Sequence, residues 1–592
     1  MSRYQAPLED INFTLTHIAS LDDVAKLDGF QHADPATVEG ILEEAGRFFS
    51  EVMAPLNRVG DEQGSTLGDS GVVTPDGFKD AYAKYVESGW PSVHFPEEWS
   101  GGGLPYTVGI VIQEMFKTAN MAFSLCPMLT QGAADAIIEH GTPEQHGIYL
   151  DKLATGQWSG TMNLTEPQAG SDLGALRTRA ERQDDGTYRL YGTKIFITWG
   201  DQDLTENVIH LVLARTPDAS AGTRGISMFI VPKFVPDTEG NPGERNDIKI
   251  VSLEHKLGIH ASPTCVVSFG DAGDGAVGYL LGEEQKGMRN MFTMMNVARI
   301  GVGLEGLAIS EAAYQQARDF ARDRVQGRKT GSDSAEEVAI VEHQDVRRML
   351  LTLKAYTQAM RALLYYTAAE TDFAGHTEDQ KRRKLADDRV AVLTPLVKAW
   401  CTDLGVDMAS LAIQVHGGMG YIEETGVAQL LRDSRIAPIY EGTNGIQAID
   451  LLTRKLPLED GAVVKGMISE MESLLGELDS HPELESFETE LGSALHALSD
   501  ASDWMLTRLS AKDIDDALAG ATPYLELFAS VVSGWLVARG AVAALSSSDR
   551  DSEFNTDWVN TARFYGEHLL PQTTGLLPTI KGGASLLQNA VL

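Results

Sequence analysis

The pattern of apolar and polar positions changes twice along this chain. Residues 37–49 (TVEGILEEAGRFF) carry apolar side chains every three or four positions, which is typical of an amphipathic helix, and similar spacing continues to about residue 155. The pattern then predicts strands, for example a strand, a turn and a second strand within 188–198 (YRLYGTKIFIT) and further strands at 210–214 and 226–231. Beyond Met288 the spacing of long helices returns. Helices, then strands, then helices predict an α+β fold rather than the strand–helix alternation of a doubly wound sheet.

The length of 592 residues exceeds what one hydrophobic core usually organises. Residues 95–105 (FPEEWSGGGLP) predict a loop between helices. We expect five segments, which are an N-terminal arm (1–35), an N-terminal helical domain (36–155), a central β domain (156–285), a C-terminal helical bundle (286–455) and an additional helical domain (456–592).

Residues 301–306 (GVGLEG) match the glycine pattern of a dinucleotide-binding turn letter for letter. That turn requires a strand before it and a helix after it. Here both flanks have helical spacing, so we interpret the glycines as small residues that let two helices approach closely.

Charge narrows the possible functions. The chain has 48 Lys and Arg against 84 Asp and Glu, a net charge of −36, and residues 456–592 contribute 7 − 21 = −14. A surface this acidic repels phosphate backbones, so no nucleic-acid partner is expected. Three widely spaced cysteines predict neither a disulfide framework nor a metal site. We see no signal peptide and no apolar run long enough to span a membrane, so we expect a cytoplasmic protein without a membrane partner.

Several motifs carry more specific information. They are 162–172 (MNLTEPQAGSD), 194–198 (KIFIT), 414–421 (QVHGGMGY), 431–435 (LRDSR) and 439–445 (IYEGTNG). Together, and in this order, they resemble the acyl-CoA dehydrogenase family over residues 36–455. The resemblance implies a helical N-terminal domain, a central β domain and a C-terminal helical bundle. It also implies FAD as cofactor and desaturation of an acyl-CoA thioester between its α and β carbons.

The chemistry needs a base for a weakly acidic α proton and donors that hold the thioester carbonyl. Glu441 matches the family's base, and its backbone N–H and a flavin hydroxyl would grip the carbonyl oxygen. Some relatives place the base on an earlier helix, where this chain has Ala298. By resemblance, the substrate-binding residues are Ser171, Asn296, Arg299, Tyr440 and Gly442.

The resemblance also implies the FAD-binding residues, which are Met162, Leu164, Thr165, Ser171, Phe196, Thr198, Arg324, Gln414, Gly417, Gly418 and Thr443. Thr165 and Thr198 match residues that bond the flavin ring, and Arg324 matches an arginine at the FAD pyrophosphate. Gln414, Gly417 and Gly418 match a stretch that holds FAD from a neighbouring subunit. The chain departs from the family where Phe196 replaces a tryptophan and where Gly445 replaces a glutamine. A phenylalanine common after Arg324 is also missing.

Each of these positions also has a plainer interpretation. Glu441 could be a surface residue of a loop, 162–172 a Gly/Pro turn, and the helix around Arg299 a solvated face. His416, beside paired glycines, is interpreted as structural rather than as an acid–base group.

The arm, the variants at 261–265 (ASPTC) and 441–447, and the acidic tail resemble a subgroup of long bacterial members that includes 3-(methylthio)propanoyl-CoA dehydrogenases of dimethylsulfoniopropionate catabolism. This resemblance implies that substrate, with electron-transfer flavoprotein as acceptor. We expect a homodimer, because the tail would cover a surface that forms a subunit contact in smaller tetrameric relatives. The alternatives are a medium- or long-chain fatty acyl-CoA dehydrogenase, an acyl-CoA oxidase and a DNA-binding flavoprotein of the same fold.

Overall fold

A computed structural model describes residues 4–331 and 333–591. The first three residues of the predicted arm lie outside the described residues. The α+β prediction is confirmed, because helices precede and follow one large sheet. The elements before the large sheet are α1 (Leu8–His17), α2 (Leu21–Val24), α3 (Pro35–Phe48), α4 (Pro55–Gln63), β1 (Thr66–Gly68), β2 (Gly71–Val73), α5 (Phe78–Glu87), α6 (Tyr106–Ala119), α7 (Met121–His140) and α8 (Pro143–Ala154).

The middle of the chain contributes the remaining strands. They are β3 (Trp158–Asn163), β4 (Arg179–Arg182), β5 (Tyr188–Thr198), β6 (Asn207–Arg215), β7 (Ile226–Pro232), β8 (Phe234–Pro236), β9 (Pro242–Arg245), β10 (Ile248–Leu253), β11 (Thr264–Phe269) and β12 (Ala276–Leu280).

Helices make up the rest. They are α9 (Gly287–Asp323), α10 (Gln344–His376), α11 (Gln380–His416), α12 (Val427–Ser434), α13 (Asn444–Asp450), α14 (Ala462–Ser473), α15 (Leu475–Leu478), α16 (Glu485–Ala511), α17 (Ile514–Ala519), α18 (Ala521–Ser546), α19 (Glu553–Phe564), α20 (Pro571–Thr574), α21 (Leu576–Lys581) and α22 (Ser585–Asn589).

The chain forms two compact units. The bundle unit comprises Met1–Arg47, Pro105–Thr118 and Val302–Leu592, and the sheet unit comprises Phe48–Leu104 and Ala119–Gly301. Each unit is built from discontinuous stretches. The boundary after Gly301 falls inside α9, so the first part of this helix belongs to the sheet unit and the rest to the bundle unit.

The sheet unit is organised around eight strands. Seven follow the order β10-β11-β5-β12-β7-β6-β3, with β4 paired to β5 and β6. All these pairings are antiparallel except that β6 runs parallel to β3 and β4. The core of the sheet includes Tyr188, Leu190, Phe229 and Val267. Their apolar side chains remove a continuous surface from water, which is the main stabilising contribution to such a sheet.

Strand β5 differs from its prediction. Residues 188–198 form one strand of 11 residues, not two strands joined by a turn. The register against β11 shifts between the pairs Lys194↔Val267 and Ile197↔Cys265, so two residues of β5 face one of β11. Phe196, within this β-bulge, has a φ of 59°. A bulge locally re-aims side chains, and that of Phe196 is 59% exposed.

The N-terminal helical region contains a short antiparallel hairpin, β1–β2, that the pattern did not predict. Its strands have three residues each, too few for a period-two signal. The loop predicted at 95–105 is confirmed, since it contains only one 3₁₀ turn, Glu97–Trp99.

The expectation that no apolar stretch is long enough for a membrane was wrong. Helices α7, α9 and α18 are each long and apolar enough by length and composition alone, and 89%, 78% and 83% of their most apolar windows are buried within the fold. A helix packed on all sides in a large core has the same composition as a membrane span, so hydropathy alone does not separate them.

The glycines of 301–306 lie inside α9, as expected from their helical flanks. Within the bundle unit, a Cβ on Gly306 would lie 1.9 Å from the carbonyl oxygen of Cys401 in α11, and one on Gly303 would lie 2.5 Å from Val397. The close approach of α9 and α11 therefore requires glycine, and the dinucleotide interpretation is excluded.

The arm and the tail are integral to the bundle unit. Helix α1 packs against α10 and α18. The ring of Phe13 in α1 lies 4.2 Å from that of Trp558 and 5.5 Å from that of Phe554, both in α19.

Candidate active site

Glu441 lies in a short loop of the bundle unit. The loop begins after α12 ends at Ser434 and leads into α13 at Asn444. Glu441 has a φ of 55° and Gly442 a φ of 84°. A left-handed backbone costs roughly 1–2 kcal/mol for a residue with a side chain, and such strain persists only where neighbouring groups hold it.

Several hydrogen bonds hold this loop. The Asn444 N–H donates to the carbonyl of Pro438 at 3.0 Å. The buried Gln447 amide donates to the carbonyls of Glu441 at 3.3 Å and Gly442 at 3.4 Å. The Thr443 hydroxyl caps α13 by accepting from the Ile446 N–H at 3.2 Å, so it has a structural role whether or not it also contacts FAD.

The neighbouring Tyr440 connects the loop to α9. Its hydroxyl lies 2.6 Å from each carboxylate oxygen of Glu305, which is 2% exposed. Tyr440 is predicted to contact the substrate, and its hydroxyl is already engaged by Glu305.

Two buried lysines belong to the same region of the bundle unit. Burial lowers the pKa of Lys117 in α6, against the attraction of Glu305. Lys398 in α11 is fully buried and donates to the Asn444 Oδ1 at 2.8 Å. No motif assigned a function to Glu305 or Lys117, although Glu305 lies within the stretch 301–306. The signal in the sequence was a charged residue within otherwise apolar helical spacing.

In the sheet unit, the loop after β3 is fixed by a buried ion pair. The Lys194 Nζ lies 2.8 Å from a carboxylate oxygen of Glu166 and donates to the carbonyl of Leu164 at 2.9 Å. Glu166 also accepts from the N–H and hydroxyl of Thr178. Burial acts to raise the pKa of Glu166, but the Lys194 charge and these donors outweigh it and hold that pKa at about 2. Burial lowers the pKa of Lys194 to about 8. Both groups are therefore charged at neutral pH.

This pair brings two of the predicted FAD segments together. The Ile195 N–H donates to the Thr165 carbonyl at 2.9 Å, so residues 164–166 lie against β5 close to Phe196 and Thr198. Met162 is buried in β3, whereas Leu164, Thr165 and Thr198 are half-buried. Ser171 is further along the loop and exposed.

The donor chemistry of this region fits a flavin ring. The hydroxyls of Thr165 and Thr198 have no hydrogen bond within residues 4–331 and 333–591, although both are half-buried. A half-buried hydroxyl lacks the full access to water that satisfies an exposed one, and flavin nitrogens and oxygens can supply the missing partners. The exposed ring of Phe196 adds an apolar surface beside them.

Arg299 lies in the part of α9 that belongs to the sheet unit. It is 5% exposed, and its guanidinium lies 5.9 Å from the ring centre of Phe292. The interpretation of this helix face as solvated is therefore wrong for Arg299. Asn296 is exposed, and Ala298, where some relatives have their base, is buried.

The remaining predicted FAD residues lie at helix ends of the bundle unit. Arg324 directly follows α9, is exposed and donates to the side chain of Gln326 at 3.0 Å. Gln414, Gly417 and Gly418 are exposed at the end of α11, and Gly417 has a φ of 60°. The two ends are joined by His416, whose ring stacks on Phe320 at 4.4 Å and bonds the Ala412 carbonyl. His416 is structural here, as interpreted.

The bundle unit thus carries a carboxylate on a strained loop, and the sheet unit separately offers half-buried hydroxyls that fit a flavin ring. Comparison with known proteins shows the family. Acyl-CoA dehydrogenase N-terminal, middle and C-terminal domains match residues 36–157, 161–272 and 285–456, and an acetyl-CoA dehydrogenase C-terminal-like domain matches 466–589. The chain belongs to the acyl-CoA dehydrogenase family, whose members depend on FAD and act on acyl-CoA thioesters.

Relatives match over nearly the whole length. The chain is 45% identical to 3-methylmercaptopropionyl-CoA dehydrogenase of Ruegeria pomeroyi over 96% of each chain. It is 33% identical to a butyryl-CoA dehydrogenase of Syntrophomonas wolfei over 98% of this chain and 97% of that one. Among solved structures, acyl-CoA dehydrogenase from Bacillus anthracis complexed with FAD aligns with a TM-score of 0.74 at 20% identity, covering 94% of this chain and 89% of that one.

Proposed function

We propose that this enzyme oxidises 3-(methylthio)propanoyl-CoA, also called 3-methylmercaptopropionyl-CoA, to 3-(methylthio)acryloyl-CoA in dimethylsulfoniopropionate catabolism. The observation that supports this chemistry is Glu441, whose backbone is left-handed and whose carboxylate is at the position of the family's base. The substrate assignment is supported by 45% identity, without large gaps in coverage, to a relative named for that activity.

The reaction removes two hydrogens from one carbon–carbon bond. The Glu441 carboxylate takes the α proton, and the backbone N–H of the same residue donates to the thioester oxygen as negative charge develops there. FAD, when bound, supplies the acceptor for the hydride that leaves the β carbon. Loss of the proton and the hydride leaves the α,β double bond.

The residues matched to the family's FAD site would hold the cofactor. Thr165 and Thr198 offer half-buried hydroxyls to the flavin ring, and Phe196 offers an exposed aromatic face. Arg324 would reach the pyrophosphate and Arg299 the CoA portion of the substrate. A second subunit would contribute Gln414, Gly417 and Gly418.

A homodimer is part of this proposal. Three large apolar side chains directly after the paired glycines are exposed, namely Met419, Tyr421 and Ile422 at 52%, 87% and 44%. An exposed apolar cluster of this kind is a common feature of protein–protein interfaces. We further propose a cytoplasmic enzyme that passes its electrons to an electron-transfer flavoprotein.

A substrate panel tests the assignment. The purified flavoprotein is assayed anaerobically with an artificial one-electron acceptor and with 3-(methylthio)propanoyl-, butanoyl-, octanoyl- and palmitoyl-CoA. The highest kcat/KM for the thioether substrate supports the proposal. A preference for octanoyl or palmitoyl chains would instead identify a fatty acyl-CoA dehydrogenase, and rapid peroxide formation in air would identify an oxidase. The 33% identity to a butyryl-CoA dehydrogenase makes butanoyl-CoA the most informative competitor.

A further inference from the structure

Glu305 is a buried carboxylate that the chemistry above does not use. It lies in α9 among apolar and small residues, within the stretch 301–306. It contacts the Glu441 loop through Tyr440, whose hydroxyl lies 2.6 Å from both carboxylate oxygens. Because Tyr440 directly precedes Glu441 in the chain, this contact anchors the backbone that carries the base.

The charges around Glu305 come from three other segments. Lys117 faces it from α6, Lys398 from α11, and Tyr440 and Glu441 from the loop between α12 and α13. Burial raises the pKa of Glu305, and the Lys117 charge and the Tyr440 hydrogen bond oppose that rise. A negative charge on Glu305 would disfavour a second negative charge on Glu441, because like charges in the same region repel each other.

A purely structural role does not explain a buried carboxylate at this position. Burying a carboxylate is unfavourable unless partners compensate it, and apolar residues of similar volume would often give equal or greater stability. Buried groups with perturbed protonation are concentrated at functional sites. The position beside the base, rather than elsewhere in the bundle unit, gives this charge an effect on the chemistry.

We propose that Glu305 is a positioning residue that acts on Glu441 in two ways. Through Tyr440 it holds the base loop in its left-handed conformation, and through its charge it sets the pH range in which Glu441 is an effective base. This inference rests on the proposed function, since it requires Glu441 to be the base.

Two substitutions separate the two effects. Glu305→Gln keeps an acceptor for the Tyr440 hydroxyl but removes the charge. Because burial raises the pKa of Glu305, this group is already neutral at the acidic end of the pH profile. We expect Glu305→Gln to reduce kcat by roughly tenfold at the alkaline end and to change it little at the acidic end, because only a charged Glu305 strengthens Glu441 as a base. Tyr440→Phe keeps the charge and removes the bond. It should reduce kcat at acidic and alkaline pH alike.

The matched control is Asp372→Asn. Asp372 is also a buried acid of the bundle unit, and it accepts from the N–H groups of Tyr106 and Thr107 at 2.8 and 2.9 Å at the start of α6. Lys117, which faces Glu305, lies ten residues after Thr107 in the same helix, which is about 15 Å at 1.5 Å per residue. Asp372 is therefore remote from the charges around Glu305. We expect Asp372→Asn to lower the melting temperature and to leave the pH profile of kcat unchanged.

The assay uses the FAD-loaded enzyme and the best substrate of the panel, with flavin absorbance as a check on folding. An unchanged profile and kcat in Glu305→Gln would overturn the inference. If Glu305→Gln does not fold, Tyr440→Phe decides, because parental kcat in that variant would show that the anchor has no catalytic effect. Glu441→Gln separates the two proposals. If Glu441→Gln retains turnover, the proposed function fails. If Glu441→Gln is inactive but Glu305→Gln has the kcat and pH profile of the parent, only the positioning role is rejected.

Discussion

At the scale of single residues, the proposed base Glu441 and its neighbour Gly442 share an unusual left-handed backbone. Glu441 and Gly442 both have positive φ, and only Gly442 adopts it without steric cost. The motif 439–445 identified this position through resemblance. Neither its strain nor its anchor on Glu305 could be predicted, because positive φ at a glutamate leaves no pattern in sequence, and the partner is over a hundred residues away.

We predict that Gly442→Ala lowers both stability and kcat. A Cβ at a φ of 84° costs about 1–2 kcal/mol, and relief of that strain would displace Glu441. Thermal unfolding and steady-state kinetics measure the two effects. Gly445→Ala is the control, since this glycine lies in α13 and the atom nearest to an added Cβ is 3.9 Å away. If both variants behave alike, the conformation of Gly442 does not matter.

The Lys194–Glu166 pair makes a second prediction at this scale. The pKa of Glu166 falls from an ordinary 4.5 to about 2 on folding, so the charged form stabilises the folded state. That contribution is complete above about pH 4.5 and is lost as pH falls towards 2. Glu166→Gln should therefore flatten the dependence of the unfolding free energy on pH in this range. Urea unfolding at a series of pH values tests this, and parallel curves for both proteins would contradict it.

At the scale of elements, the sequence predicted whether a long segment is helix or strand better than it predicted short strands and bulges. The long helices after Met288 and the strands near 210 and 226 were predicted because their apolar periods extend over many residues. Residues 188–198 were predicted as two strands joined by a turn, whereas they form one continuous strand with a bulge at Phe196. The hairpin β1–β2 was missed since each strand has three residues.

We predict that a side chain between α9 and α11 destabilises the bundle unit. Gly306→Ala would place a Cβ 1.9 Å from the Cys401 carbonyl oxygen, so the helices must separate. Overpacking of this kind typically costs about 1–3 kcal/mol. Gly466→Ala in α14 is the matched control, because no atom lies within 4 Å of its added Cβ. Calorimetry should show a lower melting temperature for Gly306→Ala only, and equal values would show that the two helices adapt freely.

At the scale of the whole molecule, family resemblance predicted the activity where composition alone could not. The net charge of −36 argued against nucleic-acid partners and gave no information about the reaction. The tail was predicted to be helical from its pattern. Its packing with the arm, through Phe13 and Trp558, could not be predicted because the two segments are more than 500 residues apart in sequence.

We predict that the enzyme is a homodimer of 64.1 kDa subunits. Light scattering with size-exclusion chromatography should give twice that mass. Tyr421→Asp, which places a charge in the exposed apolar cluster after Gly418, should shift the mass towards the monomer and weaken FAD retention. A tetramer, or a Tyr421→Asp variant that remains a dimer with FAD, would contradict this assignment of the surface.

The central claim is that Glu441 takes the α proton of an acyl-CoA. The most direct measurement mixes the FAD-loaded enzyme with 3-(methylthio)propanoyl-CoA in an anaerobic stopped-flow instrument. It follows the loss of the visible absorbance of the oxidised flavin in the parent and in Glu441→Gln. We predict that the variant keeps its flavin and binds substrate but reduces the flavin about 10²–10⁴-fold more slowly. Flavin reduction at the parental rate in Glu441→Gln would contradict the assignment of this residue as the base.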